Sequence, residues 1–96
     1  MDETTLRKIE TEIDNLRNRL GNIRERELVS LAKKLGRERF NRGSEPTYIM
    51  RQLPGRYPLA IPGHRDIKRG TAKKILDVLE EDVFAWREWL KTHQTP

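Results

Sequence analysis

The sequence predicts an α+β fold of two layers, in which helices cover one face of a three-stranded antiparallel sheet. Helices are predicted in two segments near the N-terminus and in one at the C-terminus, because apolar residues recur there every three or four positions. The middle of the chain instead alternates strand-forming residues with Pro and Gly turn signals.

The first predicted helix carries a heptad seam, formed by Leu6, Ile9, Ile13, Leu16, Leu20 and Ile23. A seam shorter than three heptads is marginal alone, so it must be covered by its own domain, by a second copy or by another partner. Gly21 and Asn22 are the predicted break. We therefore expect a heptad-patterned helix at 1–23, a domain at 24–91 and a tail at 92–96, with a possible homodimer through residues 6–23.

A second helix is predicted over 24–35, since one face collects Leu28, Leu31, Ala32 and Leu35. Gly36 follows as the expected C-cap. Strands are predicted at 37–42, 47–51 and 57–61, and the last two are joined by a type II turn with Pro54 and Gly55 in its centre. The last helix is expected to begin at Thr71 as N-cap, after Gly70, and to reach Leu90 or Lys91.

The net charge of +5 is concentrated in the middle of the chain. Residues 37–74 carry 10 Lys/Arg against 3 Asp/Glu, whereas residues 75–96 carry 2 against 5. A local excess of this kind attracts phosphate backbones, although a solvated surface or an acidic protein partner fits it equally well. Without cysteine and with two isolated histidines, the chain is expected to hold no metal and no cofactor. We expect a cytoplasmic protein with no membrane segment.

Four short motifs resemble the HicA toxin family over about residues 25–79. They are Leu31-Ala32-Lys33-Lys34-Leu35-Gly36, then Arg42-Gly43-Ser44, then Ile61-Pro62-Gly63-His64, and finally Lys68-Arg69-Gly70-Thr71 with Ile75-Leu76. The resemblance implies a dsRBD-like α-β-β-β-α two-layer domain, here with an extra N-terminal helix. It also implies ribonuclease activity against mRNA and a HicB-type antitoxin as partner.

The chain departs from the family at the residue regarded as catalytic. In the family a histidine follows Gly-Ser within two residues, but here Gly43-Ser44 is followed by Glu45 and Pro46. Histidine takes and gives a proton near neutral pH, whereas a carboxyl with an ordinary pKa near 4 is a poor acid there. Glu45 and His64 are the remaining catalytic candidates, and both are weak. His64 is more simply explained as ordering its turn or touching RNA without chemistry.

The predicted RNA-binding residues surround the start of the last helix and the Gly-Ser loop: Arg42, Ser44, Arg65, Lys68, Arg69, Thr71, Lys73 and Lys74. The unpaired amides at a helix start, together with lysines, favour phosphate. Solvated lysines are the simpler alternative, and the resemblance tips the balance towards RNA. Three functions are therefore weighed: an active mRNA interferase, a relative that binds RNA or antitoxin with weakened or lost cleavage, and a coiled-coil interaction module with an acidic partner.

Overall fold

A computed structural model describes residues 1–42 and 45–93, except the side chains at 41 and 42. In this part of the chain the elements are α1 (Glu3–Arg17), β1 (Ile23–Arg24), α2 (Glu25–Lys34), β2 (Arg37–Arg42), β3 (Glu45–Met50), β4 (Leu59–Ala60), β5 (Asp66–Ile67) and α3 (Arg69–His93). Strands β2, β3 and β4 form an antiparallel meander in that order, and β1 pairs with β5 in a second small sheet. The predicted α+β class is confirmed.

Helix α1 is shorter than its heptad pattern predicted. The Asp2 carboxylate caps it by accepting a hydrogen bond from the Thr5 amide at 2.8 Å, and the helix ends at Arg17. The last two seam residues therefore lie outside the helix, and Ile23 belongs to β1 instead. Between α1 and β1 the chain forms turns, in which the Arg19 amide donates to the Leu16 carbonyl and the Asn22 amide donates to the Arg19 carbonyl.

The remaining seam residues are buried inside the chain. Leu6, Ile9, Ile13 and Leu16 are at most 4% exposed, and they belong to the same core as residues of α2, α3 and the sheet. The sequence left open whether the seam is covered by its own domain, by a second copy or by another partner. In the structure, the chain's own domain covers it. These four side chains are consequently not available for the predicted homodimer through residues 6–23.

Helix α2 buries Leu28, Leu31 and Ala32 and stops where the sequence predicted. Gly36 has a φ of 98°, a conformation that favours glycine, so its role at the helix end is confirmed. Beside it, the Trp86 indole Nε1 donates a 2.7 Å hydrogen bond to the Leu35 carbonyl. This contact ties the end of α2 to the middle of α3.

The three predicted strands of the meander are confirmed, although the third contains only Leu59 and Ala60. Tyr48 pairs with Leu59 and faces the helices with Met50, whereas the opposite face of the sheet carries Phe40, which is 37% exposed. Gly55 has a φ of 75°, as the third position of a type II turn requires. The sheet thus has one covered face and one open face.

The two-residue ladder of β1 and β5 was not predicted. Ile23 pairs with Ile67 and both are buried, while Arg24 pairs with Asp66 and both are exposed. Such a short ladder has no periodicity of its own in the sequence. It also lies across the predicted boundary between residues 23 and 24.

Helix α3 begins earlier than predicted. The Lys68 carbonyl accepts the Ala72 amide at 2.8 Å, so Arg69 starts the helix and Thr71 lies in its first turn; the prediction of Thr71 as N-cap was wrong. Gly70 did not break the helix. At the other end the helix runs to His93, past the predicted start of the tail at 92. No helix in residues 1–42 and 45–93 is both long and apolar enough to cross a membrane.

A buried ionic centre joins the sheet to α3. The Arg37 guanidinium binds the Asp82 carboxylate through two hydrogen bonds of 2.6 and 2.9 Å, and both side chains are fully buried. Arg37 also donates to the carbonyls of Tyr48 and Tyr57, at 3.0 Å each. Arg56 donates to the same carboxylate at 2.8 Å. This centre holds the β3–β4 loop against the helix.

Candidate nucleic-acid interface

The β1–β5 ladder gathers cationic side chains from two distant parts of the sequence. We call the basic surface the set Arg24, Arg26, Arg65, Lys68, Arg69, Lys73 and Lys74, all of which are exposed. Arg24, Arg26 and Arg65 line a common cavity of about 250 Å³ together with Glu25. The basic surface therefore combines cations from the start of α2, from the residue before β5 and from the start of α3.

The two helix starts on this surface differ in charge. The first turn of α2 contains Glu25 and Glu27, and the Glu27 carboxylate accepts the Arg24 amide at 3.1 Å. The first turn of α3 contains no acidic residue. Because the free amides and dipole of a helix start attract anions, α3 offers the better phosphate site of the two.

Most cations of the basic surface form no ion pair with a carboxylate in the described part of the chain. Elsewhere, such pairs are formed by most cations, namely Arg7, Arg17, Arg19, Lys34, Arg37, Arg51, Arg56, Arg87 and Lys91. Within residues 1–42 and 45–93, no such pair is formed by Arg24, Arg26, Arg65, Lys68, Arg69 or Lys74; Lys73 alone of the basic surface has a partner, Asp77, at 3.1 Å. Positive charge without an internal partner is available to an external anion.

A second cavity of about 250 Å³ lies beside the basic surface. Its lining residues are Pro62, His64, Asp66, Ile67, Lys68 and Thr71. We call it the β5 pocket. It places an imidazole, a carboxylate, an ammonium group and a hydroxyl around one space with two apolar walls. These are groups that can bind a ligand or move a proton.

Glu45 and His64, the two catalytic candidates, are carried by neighbouring segments. The Ile61 amide donates to the Pro46 carbonyl at 3.2 Å, and a Cβ added to Gly63 would lie 3.7 Å from Pro46 Cγ. The loop that carries His64 thus passes over the residue next to Glu45. Both side chains are exposed, and no hydrogen bond joins them. An orienting partner, which a general base usually needs, is present for neither among the described residues.

The structure groups most of the predicted RNA-binding residues. Arg65, Lys68, Arg69, Lys73 and Lys74 lie on the basic surface, and Thr71 lines the β5 pocket. Arg42 ends β2, but its side chain lies outside the described part of the chain, as does Ser44. Arg24 and Arg26 were missed. Arg24 precedes α2 and Arg26 lies in its first turn. They are brought to Arg65 by the pairing of β1 with β5 and by the Glu25 amide, which donates to the Arg65 carbonyl at 3.4 Å.

Comparison with known proteins adds no relative to this picture. No protein-family model, curated protein or solved structure gives a significant match to the chain. The resemblance to the HicA family therefore stays a prediction, carried by the motifs quoted above and by the surface on which they lie.

Proposed function

We propose that this chain is an RNA-binding protein of the HicA-like toxin kind, which holds the RNA backbone on the basic surface and cleaves it weakly or not at all. The observation that carries the proposal is the grouping of cations around the start of α3, of which Lys73 alone has an ion-pair partner among the described residues. A phosphate chain is the ligand that satisfies a row of such charges together with free helix amides.

The order of the elements supports the same proposal. From α2 to α3 the chain runs through one helix, the β2–β3–β4 meander, the two-residue strand β5 and a final helix. Apart from β5, this is the α-β-β-β-α order of dsRBD-like domains. Domains of that kind recognise RNA through backbone contacts and shape, with lysines at the start of the last helix. Lys68 and Arg69 occupy that position here.

Weak cleavage follows from the chemistry at the expected catalytic position. Cleavage through the RNA 2′-hydroxyl needs one group to take its proton and another to protonate the leaving 5′-oxygen. Glu45 stands where the family has histidine, and His64 has no hydrogen-bond partner among the described residues to orient it. A HicB-type antitoxin, if it accompanies this chain, would compete with RNA for the basic surface.

The experiment measures RNA affinity by fluorescence anisotropy across a series of salt concentrations. Two variants remove the basic surface in parts: one changes Lys68, Arg69, Lys73 and Lys74 to Ala, and the other changes Arg24, Arg26 and Arg65 to Ala. A charge-matched control for the first changes four exposed cations elsewhere: Arg7, Lys8, Arg51 and Lys91.

Both basic-surface variants are expected to bind more weakly, because each lost phosphate contact removes about 0.7 to 0.9 from the slope of log affinity against log salt. The control should keep both the affinity and the slope of the wild type. Unchanged affinity in both variants would overturn the proposal. Loss in the control alone would move the site to another face.

A further inference from the structure

We propose that the β5 pocket binds the base of an unpaired guanine nucleotide within the RNA chain, with the Asp66 carboxylate as the residue that selects guanine. This inference rests on the proposed function, because the basic surface has to hold the RNA for a base to enter. It goes beyond that function because backbone contacts alone distinguish no sequence.

Size and lining suit the pocket to a single base. Its volume of about 250 Å³ is below the roughly 300–1,000 Å³ typical of sites for larger ligands. Pro62 and Ile67 supply apolar walls, and the exposed His64 imidazole at the rim is a flat ring on which a base can stack. A flat aromatic ligand fits such a lining better than a bare phosphate does.

The polar groups of the pocket have no partners inside the protein. Within residues 1–42 and 45–93, the side chains of His64, Asp66, Lys68 and Thr71 make no hydrogen bond or ion pair with one another or with other residues. Extended backbone sends alternate side chains to opposite sides. Since Ile67 is buried, Asp66 and Lys68 on either side of it are directed outwards.

Asp66 is the informative residue because its charge opposes the binding of phosphate. It lies between Arg65 and Lys68 in the chain, beside a surface whose side chains are mostly cationic. An ionised carboxylate only accepts hydrogen bonds, and it accepts two parallel ones well. Guanine presents two adjacent donors, N1–H and the 2-amino group, whereas uracil presents a single N–H between two carbonyl oxygens that a carboxylate repels.

The neighbouring cations complete the site. With a guanine base against Asp66, the nucleotide's phosphates lie towards Lys68 and Arg69 at the start of α3, where no acidic residue weakens the helix amides. Only an unpaired guanine can bind in this way, because base pairing occupies the same two donors.

The test measures binding of the full chain to four single-stranded RNA pentamers, UUGUU, UUAUU, UUCUU and UUUUU, and to UUIUU, in which inosine lacks the 2-amino group. We expect UUGUU to bind about fivefold or more tightly than UUUUU, since a good bidentate contact discriminates by at least that factor. Inosine should lose most of this preference. Guanosine monophosphate should bind far more weakly than UUGUU, because it lacks the neighbouring phosphates.

The matched variants are Asp66→Asn, which replaces one acceptor by a donor without changing size, and Asp14→Asn, an exposed carboxylate on α1. Asp66→Asn should bind all pentamers with similar affinity, and Asp14→Asn should keep the preference for guanine. Thermal unfolding of both variants checks that the fold is retained. Backbone amide shifts at residues 62–71 on adding UUGUU give a second readout that does not depend on the substitution.

Several outcomes overturn the inference while leaving the proposed function in place. These are equal binding of UUGUU and UUUUU by the wild type, a guanine preference that survives Asp66→Asn, and amide shifts confined to other segments. Guanosine monophosphate binding as tightly as UUGUU would identify the ligand as a free nucleotide. Absence of salt-dependent binding to any RNA would instead remove the proposed function itself.

Discussion

Arg37 and Asp82 are 45 positions apart in the chain and form a fully buried, two-pronged ion pair between β2 and α3. Arg37 donates its hydrogen bonds to the Asp82 carboxylate and to two backbone carbonyls. Arg56 adds a second guanidinium to the same carboxylate. In the described part of the chain no buried side-chain nitrogen or oxygen lacks a partner. The pair is therefore fully satisfied, and damage to one member leaves a charge without compensation.

Asp82→Asn is expected to destabilise the fold by about 3–5 kcal/mol, because it leaves the buried guanidinium of Arg37 without its counter-ion. Urea denaturation followed by Trp fluorescence measures the loss. Glu38→Gln is the control, since its ion pair with Arg51 is exposed and such pairs contribute only about 0–1 kcal/mol. Equal midpoints for Asp82→Asn and the wild type would show that the centre contributes nothing.

The contact between α1 and α3 should weaken in acid. The Arg87 guanidinium donates hydrogen bonds to Glu10 and Glu3 and holds the pKa of both carboxyls below the usual 4.5. A carboxyl whose pKa is lower in the folded state stabilises the fold fully above its unfolded pKa. That stabilisation is lost as the pH falls through the lowered value. The free energy of unfolding should thus fall with pH below about 4.5.

Arg87→Gln should flatten this dependence on pH, because the two carboxyls then titrate closer to their unfolded values. The measurement is the urea midpoint from neutral pH down to about pH 3. Lys33→Gln, an exposed residue of α2 that makes the same change in charge, is the control. If both variants follow the wild-type curve in parallel, the Arg87 contacts do not cause the acid sensitivity.

On the proposed function, Glu45→His should raise RNA cleavage by up to roughly 10²–10⁴-fold, the contribution of a well-placed general acid or base. Glu45 is exposed and starts β3 in an extended conformation, which the following Pro46 also favours. The assay compares the wild type, Glu45→His and a Glu38→His control on a structured RNA and in cell growth.

The second arm of this experiment concerns His64. Strong cleavage by the wild type that disappears in His64→Ala would assign the chemistry to His64 and contradict the expected weak activity. Cleavage by Glu45→His alone would show a scaffold that has lost one group. A lack of cleavage in every variant that still binds RNA would show that the defect extends beyond position 45.

Local patterns in the sequence were sufficient to predict part of this fold. The apolar face of α2, the positive φ of Gly36 and the Pro54-Gly55 turn each depend on neighbours within a few residues, so the pattern predicts them. The end of α1 was predicted too late, because spacing of Leu20 and Ile23 continues the heptad although tertiary pairing draws Ile23 into a strand.

Other features could not be predicted because they depend on distant partners. The buried role of Arg37 is set by Asp82, and a charged residue in a basic strand gives no sign of it. The same limit applies to the site: the cluster from Arg65 to Lys74 is visible in the sequence, whereas the contribution of Arg24 and Arg26 depends on the ladder. The role inferred for Asp66 likewise depends on the pocket that it lines with His64 and Lys68, which the sequence does not reveal.

On the proposed function, the ladder of β1 and β5 also makes RNA binding depend on synthesis of the chain past residue 67. A slip of one residue in either strand would turn its isoleucine, Ile23 or Ile67, to solvent and its charged neighbour into the core, so only one register is compatible with the fold. Residues 23 and 24 must therefore wait for residues 66 and 67 to leave the ribosome. A chain that ends before residue 66 would carry Arg24 and Arg26 but would lack both their ladder partner and the cations from Lys68 to Lys74, so on the proposed function it would have no surface for RNA.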